Sequence, residues 1–227
     1  MQAPETAVPA RLTITGRSGS IVVRAGSGAG VEAHGAKVSL DPDGSTRIDG
    51  GSGKIEVTCP AGSDVILGTS SGRVSLEGPL GDVRVTGSSG SVHIADARSV
   101  DLRVRSGSVE IEKCQGSCRV IAVSGRIEIG DAGEIDVSGV SGTIGVKSSA
   151  GGHVRSTSGR ISVGLDRAAD LDVRAVSGKI EIDVPPGVAP EMRLHTMSGK
   201  VRKDVDKGSD CAITVKTVSG SITVRRT

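Results

Sequence analysis

Leu171-Asp172-Val173-Arg174-Ala175-Val176-Ser177-Gly178-Lys179-Ile180-Glu181-Ile182 is the stretch that decides the fold. Leu171 and Val173 alternate with Asp172 and Arg174, and Ile180 and Ile182 alternate with Lys179 and Glu181. Alternation at period two, rich in β-branched residues, marks a strand with one buried face. The two runs are out of phase across Ser177-Gly178. A bend at that point keeps both apolar sets inward, whereas a straight strand would turn one of them to solvent. Glycine suits the bend because a Cβ penalises the backbone conformation it needs. The serine beside it can satisfy corner backbone groups and bond to its equivalent in the next coil.

The same pattern recurs along the chain. Ser-Gly, any residue, then Ile or Val occurs eleven times, with glycines at 19, 53, 72, 90, 107, 125, 142, 159, 178, 199 and 220. The gap of 34 between Gly19 and Gly53 is twice the common spacing of 17, and Gly35-Ala36-Lys37-Val38 lies halfway as a degenerate copy. Positions two and four after the glycine are apolar almost without exception, as in Ile21/Val23, Val74/Leu76 and Ile127/Ile129. Positions seven and five before it are mostly apolar too, as in Leu12/Ile14, Val83/Val85 and Ile213/Val215.

Each unit thus reads as strand, Ser-Gly corner, strand, and a second turn that absorbs all length variation. Residues 130–134 make a short version of that turn and residues 183–191, with Pro185, Pro186 and Pro190, a long one. One unit buries too little to offset the entropy of ordering its backbone, so the units must stack. The expected fold is all-β: a single-stranded β-solenoid (β-helix) of about twelve coils of 17–21 residues with an aliphatic core. Right-handed winding is expected from the bias of parallel crossovers. Residues 1–10 form a flexible lead with Pro4 and Pro9, and residues 11–227 the solenoid.

Composition agrees. The chain has no Phe, Tyr or Trp although 36% of its residues are hydrophobic, and 34 are Gly. Aliphatics alone suit a thin, uniform core rather than a thick one filled by rings. With 28 basic and 26 acidic residues the charge is balanced, and without aromatic stacking platforms there is no strong nucleic-acid signal. No run is long enough for a transmembrane helix, and residues 1–5 lack the basic and apolar regions of a signal peptide. Cys59, Cys114, Cys118 and Cys211 are expected to be thiols in a reducing compartment.

Thr86-Gly87-Ser88-Ser89-Gly90-Ser91-Val92, Ala175-Val176-Ser177-Gly178-Lys179-Ile180-Glu181-Ile182 and Thr217-Val218-Ser219-Gly220-Ser221-Ile222 carry a family likeness. They resemble the bacterial β-strand-repeat family of unknown function labelled "putative adhesin". The opening Leu12-Thr13-Ile14-Thr15-Gly16-Arg17-Ser18-Gly19-Ser20-Ile21 is similar to that family's first repeat. The resemblance covers nearly everything after about Ala10. It implies the stacked-strand fold and a bacterial source, and it carries over no catalytic residue. Bactofilins share coil length and aliphatic repeat but lack the Ser-Gly signature.

The search for chemistry yields surfaces, not a centre. His34, His93, His153 and His195 fall in different coils and columns, so no ligand cluster forms. Cys114 and Cys118 are four apart without the further ligands that zinc needs. Neither a metal nor any other cofactor is expected. Asp101, Asp136 and Asp172 lie on outward faces but are scattered, so no enzyme activity is expected. The residue after the corner glycine is basic in seven coils, Lys37, Lys54, Arg73, Arg126, Arg160, Lys179 and Lys200. These form a candidate ridge for an anionic polymer or membrane headgroups. Glu56, Glu110, Glu128 and Glu181, two residues on, neutralise part of it.

The chain stops in strand pattern at Ile222-Thr223-Val224-Arg225-Arg226-Thr227. An end coil exposes an unpaired edge. Leu12, Ile14, Ile222, Val224, Arg225 and Arg226 are therefore the candidate self-association edges, the two arginines serving as gatekeeping charges. The expected partners are the protein itself, another protein or an anionic polymer. The first functional reading is a non-catalytic structural or interaction solenoid in the cytoplasm, self-associating as a scaffold. An exported, adhesin-like module of the cell surface is the alternative, and a polysaccharide-active enzyme the third reading.

Overall fold

Strands form wherever β-branched and polar residues alternate, and each inward residue lands on its equivalent in the neighbouring coil. The computed structural model describes residues 8–28 and 30–227. All regular structure among them is β. The chain divides into two compact units, one ending at Gln115 and the other starting at Gly116. The lead expected at residues 1–10 lies outside the described residues up to residue 7. Ala10 is tied down, its N–H donating to Ser63 Oγ at 2.9 Å and its carbonyl accepting from Asp64 N–H at 2.9 Å.

The first unit contains β1 (Arg11–Gly16), β2 (Ser20–Gly26), β3 (Glu32–His34), β4 (Ala36–Leu40), β5 (Thr46–Gly50), β6 (Lys54–Pro60) and β7 (Asp64–Cys114). Ile14 of β1 aligns with Ile48 of β5 on one side and Leu67 of β7 on the other, all parallel. Likewise Ile21 of β2 sits between Ile55 of β6 and Val74 of β7. The first coil of the chain is thus the second coil of the ladder, inside the coil made by β5 and β6.

The second unit contains β8 (Cys118–Ala132), β9 (Ile135–Ser149), β10 (Gly152–Gly164), β11 (Leu171–Val184), β12 (Glu191–Ser198), β13 (Val201–Asp204) and β14 (Ala212–Arg226). Its ladder runs β8, β9, β10, β11, β14, with β12 and β13 outermost on β14. The last coil of the chain therefore lies between its two predecessors.

Three sequence expectations change here. The segment around Gly35 is not a degenerate coil, because β3 runs antiparallel to β6 and β4 antiparallel to β5. The 34-residue gap is an excursion that caps the outer coil. Leu12, Ile14, Ile222 and Val224 are not edge residues; each is fully buried, in strands paired on both sides. Arg225 and Arg226 do not guard an edge either, Arg225 binding Asp183 at 2.6 Å and Arg226 binding Asp206 at 3.1 Å. The spacings of 21 on both sides of Gly199 are not idle variation. Residues 185–190 carry the chain past one coil position, and residues 205–211 bring it back.

The corner glycines stack into one column per unit. Gly72, Gly90 and Gly107 have φ of 129°, 128° and 135°, and Gly142, Gly159 and Gly178 have 126°, 131° and 134°. A Cβ on Gly159 would fall on the carbonyl oxygen of Gly142, and one on Gly178 on that of Gly159. Conformation and space thus both demand glycine. Inward positions are sealed: Ile94, Leu102, Val120, Val137, Val163 and Ile182 are fully buried.

Gly159→Ala should lower stability by at least about 2 kcal/mol, since it combines a disfavoured φ with a backbone clash. Gly145→Ala is the control, its nearest neighbour being 3.8 Å from the new methyl. It should change stability by less than about 1 kcal/mol. Urea denaturation of the two variants beside the parent measures both.

Candidate functional site

With the ladders in register, each outward position becomes a column whose chemistry can be read directly. The register brings some of the residues of the expected basic ridge into one column in each unit. In the first unit it runs Lys54, Ser20, Arg73. In the second it runs Arg126, Thr143, Arg160, Lys179, Ser221. Lys200 follows, its carbonyl accepting from Ile222 N–H at 2.9 Å. Lys37 is not in it, because antiparallel β4 sets that lysine across from Asp49.

Glutamates two residues on take up several of these charges. Lys54 binds Glu56 at 2.9 Å, Lys179 binds Glu181 at 2.7 Å and Arg126 lies 3.7 Å from Glu128. The hydrogen bond from Lys54 holds the Glu56 carboxyl below its usual range, its charge and Arg24 adding to the effect. Arg73, Arg160 and Lys200 have no ion pair among the described residues. Around Lys200, the bases Lys179, Lys200, Arg202 and Arg225 share a depression of about 350 Å³ with Glu181 and the hydroxyls of Ser221 and Thr223. Ammonium, guanidinium and hydroxyl donors in one place suit an oxyanion. Arg202 and the hydroxyl pair were missed in the sequence because their column is defined only once β14 is known to lie inside β13.

The acidic residues are less scattered than the sequence suggested. Asp136 and Asp172 flank His153 in register on consecutive coils. Both carboxylates are occupied, Asp136 by Arg119 at 2.8 Å and Asp172 by Arg174 at 2.9 Å. Asp101 lies 3.5 Å from both Arg84 and Arg103. His93 is 3.5 Å from Glu110 and Glu112. No group of three His, Cys, Asp or Glu among the described residues is placed to hold a metal.

A second cavity, about 500 Å³, gathers Glu134, His153, Asp170, Asp210 and Cys211. Its carboxylates serve the turns: Asp170 accepts from Ala212 N–H at 2.8 Å and Asp210 from Ala189 N–H at 2.8 Å. Burial pushes the Cys211 thiol up, and Asp170 and Asp210 push the same way against a backbone hydrogen bond with Ala169. Burial likewise raises Cys59, with Ser63 opposing. Both are poor nucleophiles, since the thiolate is the reactive form.

The Toastrack DUF4097 family model matches residues 12–225. The chain belongs to the Toastrack family. That family is of unknown function and brings no catalytic residue to this Toastrack chain. No curated protein matches it. A crystal structure described as a "putative cell adhesion protein" from Clostridium sporogenes aligns over 99% of this Toastrack chain and 95% of its own. The identity is 8% and the TM-score 0.25.

In the folded protein, Cys59 and Cys211 should react with a thiol reagent at pH 8 at least ~10-fold more slowly than in urea. Peptide mapping of the labelled sites follows each one. Equal rates in both states would show that these thiols are neither buried nor raised.

Proposed function

We propose that the protein is a non-catalytic structural and interaction β-solenoid that self-associates by adding a second copy to its outermost coil, β12 and β13. The observation that carries this reading is the one-sided pairing of that coil. Among the described residues β12 and β13 pair with β14 alone, whereas β5 and β6 at the outer coil of the first unit are covered by β4 and β3. Inward aliphatic positions that are buried in the other coils are open here. Met192 and Leu194 are half-buried and Val201 is 38% exposed, while their ladder partners Ile213, Val215 and Ile222 are fully buried. A half-open apolar row beside unpaired N–H and C=O groups is a template for another strand.

Lys203 sets the strength of that template. It occupies the column of Val224, where the coils further in carry Ile182, Val163 and Val146. A charge at an inward position is a device that limits strand addition. Self-association is accordingly controlled rather than open-ended, and Lys203 takes the guarding role first given to Arg225 and Arg226. The Arg-bound carboxylates and raised thiols support a non-catalytic role. Buried thiols at Cys59 and Cys211 support a reducing, cytoplasmic setting, and we take the winding as right-handed.

Light scattering on sizing fractions over a hundredfold concentration range tests the reading. The parent should show a concentration-dependent rise in mass. Leu194→Lys should abolish that rise, and Lys203→Val should move it to roughly tenfold lower concentration by removing a charge that pairing would desolvate. A strict monomer for both the parent and Lys203→Val would overturn the reading.

A further inference from the structure

The second unit carries a surface that neither the ridge nor the outer coil accounts for. Positions two before the corner glycine are, in ladder order, Val123, Val140, Thr157, Val176, Val218 and Met197. These are outward positions, and all five apolar members are exposed: 47%, 49%, 51%, 47% and 76% in that order. Their flanking residues pair in register, Ser156 with Ala175 and Ser158 with Ser177, so the side chains stand one above another. At about 4.8 Å per step the row is roughly 24 Å long. Ile121, 40% exposed and two residues before Val123, widens it at one end.

The fold does not require this row. At the same corner position the first unit has Gly51, Arg17, Ser70, Ser88 and Arg105, with the same ladder and the same stacked glycines. Polar residues serve there equally well. Five exposed apolar side chains over six consecutive coils, broken only by Thr157, form a patch, and such patches mark interaction surfaces.

The flanks indicate the partner. Two residues before the row, Arg155, Arg174, Lys216 and His195 align on consecutive coils. Three residues after it runs the ridge, with Arg126, Arg160, Lys179 and Lys200. Acids further out occupy Arg174, Arg126 and Lys179. Arg155, Arg160, Lys200 and Lys216 have no ion pair among the described residues and border the apolar row on both sides. A second copy placed face to face on the row would press these bases against each other. An anionic lipid surface neutralises them and takes up the aliphatics at the headgroup boundary, the arrangement of interfacial anchors.

We propose that the Val123–Val140–Val176–Val218–Met197 row, with its two basic borders, is a docking face for an anionic lipid bilayer. This goes beyond self-association, and its residues are separate from Leu194 and Lys203. Binding needs both parts: the bases draw the face to the surface and the aliphatics hold it there.

Flotation of the full chain with vesicles tests the proposal, using phosphatidylcholine alone and with about 30 mol% phosphatidylserine. The protein should float with the mixed vesicles only, and added salt should weaken binding. Val140→Ser/Val176→Ser/Val218→Ser should bind about tenfold less, as should Arg155→Gln/Arg160→Gln/Lys216→Gln. Arg17→Gln/Arg73→Gln/Arg105→Gln removes as many charges from the first unit and should bind as the parent does. Unchanged melting temperatures establish that these surface variants fold. Full binding by the valine variant, with competition by inorganic phosphate, would assign the bases to a simple oxyanion site and overturn the proposal. A parent that floats with neither vesicle, and whose sizing mass falls on valine substitution, would assign the row to a second copy and overturn it too. Leu194→Lys should retain lipid binding, so failure of the self-association reading leaves a distinct signature.

Discussion

The close approach of backbone to backbone at the Ser-Gly corner governs both ladders. At that point the corner glycine of one coil rests against the carbonyl of the next, with φ in a range that side chains disfavour. A hydrogen atom fits where a methyl group would strike the carbonyl. Fixing the corner fixes the register, because the strands on either side are only a few residues long between turns. The inward columns then fall into line, and aliphatic residues of one size class suffice to fill them. No ring is needed in a core that is one coil deep between neighbours.

A ladder held by its backbone and its inward columns leaves its outward columns free. The two units illustrate this: their glycine columns and core columns are alike, yet one carries Arg17, Ser70 and Ser88 where the other carries Val140, Val176 and Val218. The exposed ion pairs contribute little to stability, at most about 1 kcal/mol each. They do set which charges remain available. Lys54 and Lys179 are absorbed by glutamates two residues along the strand, whereas Arg160 and Lys200 are left facing solvent. Chemistry on this scaffold is therefore written along columns, at a spacing set by the ladder, and not gathered in a cleft.

The strands, the corners and the aliphatic core were legible because period-two alternation and the Ser-Gly repeat report local geometry. The order of coils was not. Neighbouring coils are nearly interchangeable in sequence, so nothing in Ile213, Val215, Ile222 or Val224 says whether their coil is outermost or enclosed. The end of the sequence was taken for the end of the ladder, and the edge residues were misplaced for that reason. The one available signal was linker length. Spacings of 21 before and after Gly199, and 34 between Gly19 and Gly53, are long because those segments cross a coil position or fold back as a cap. Lys37 fell out of the ridge for the same reason, since half of 34 only resembles a repeat. The exposed valines were legible in principle, since alternation from Leu171 and Val173 to the bend at Ser177-Gly178 already turns Val176 outward, but only the ladder register shows that they stand in one row.

Enclosing β1 and β14 within their ladders has a physical consequence that applies to each unit separately. A strand paired on one side opens more easily than one paired on both, because fewer ladder hydrogen bonds hold it. Paired on both sides, β1 and β14 must break two ladders to leave. The outermost coils, β5–β6 and β12–β13, are chain-internal segments. A segment held at both ends regains less entropy on release, because its loop must still close. The one-sided position in the second unit is thus held by a segment, β12–β13, that is anchored by chain on both sides. The cost is an exposed inner row at β12 and β13, and Lys203 is the residue that moderates it. That segment can carry such a charge without loss of its own anchorage, since 185–190 and 205–211 hold it in place from both sides.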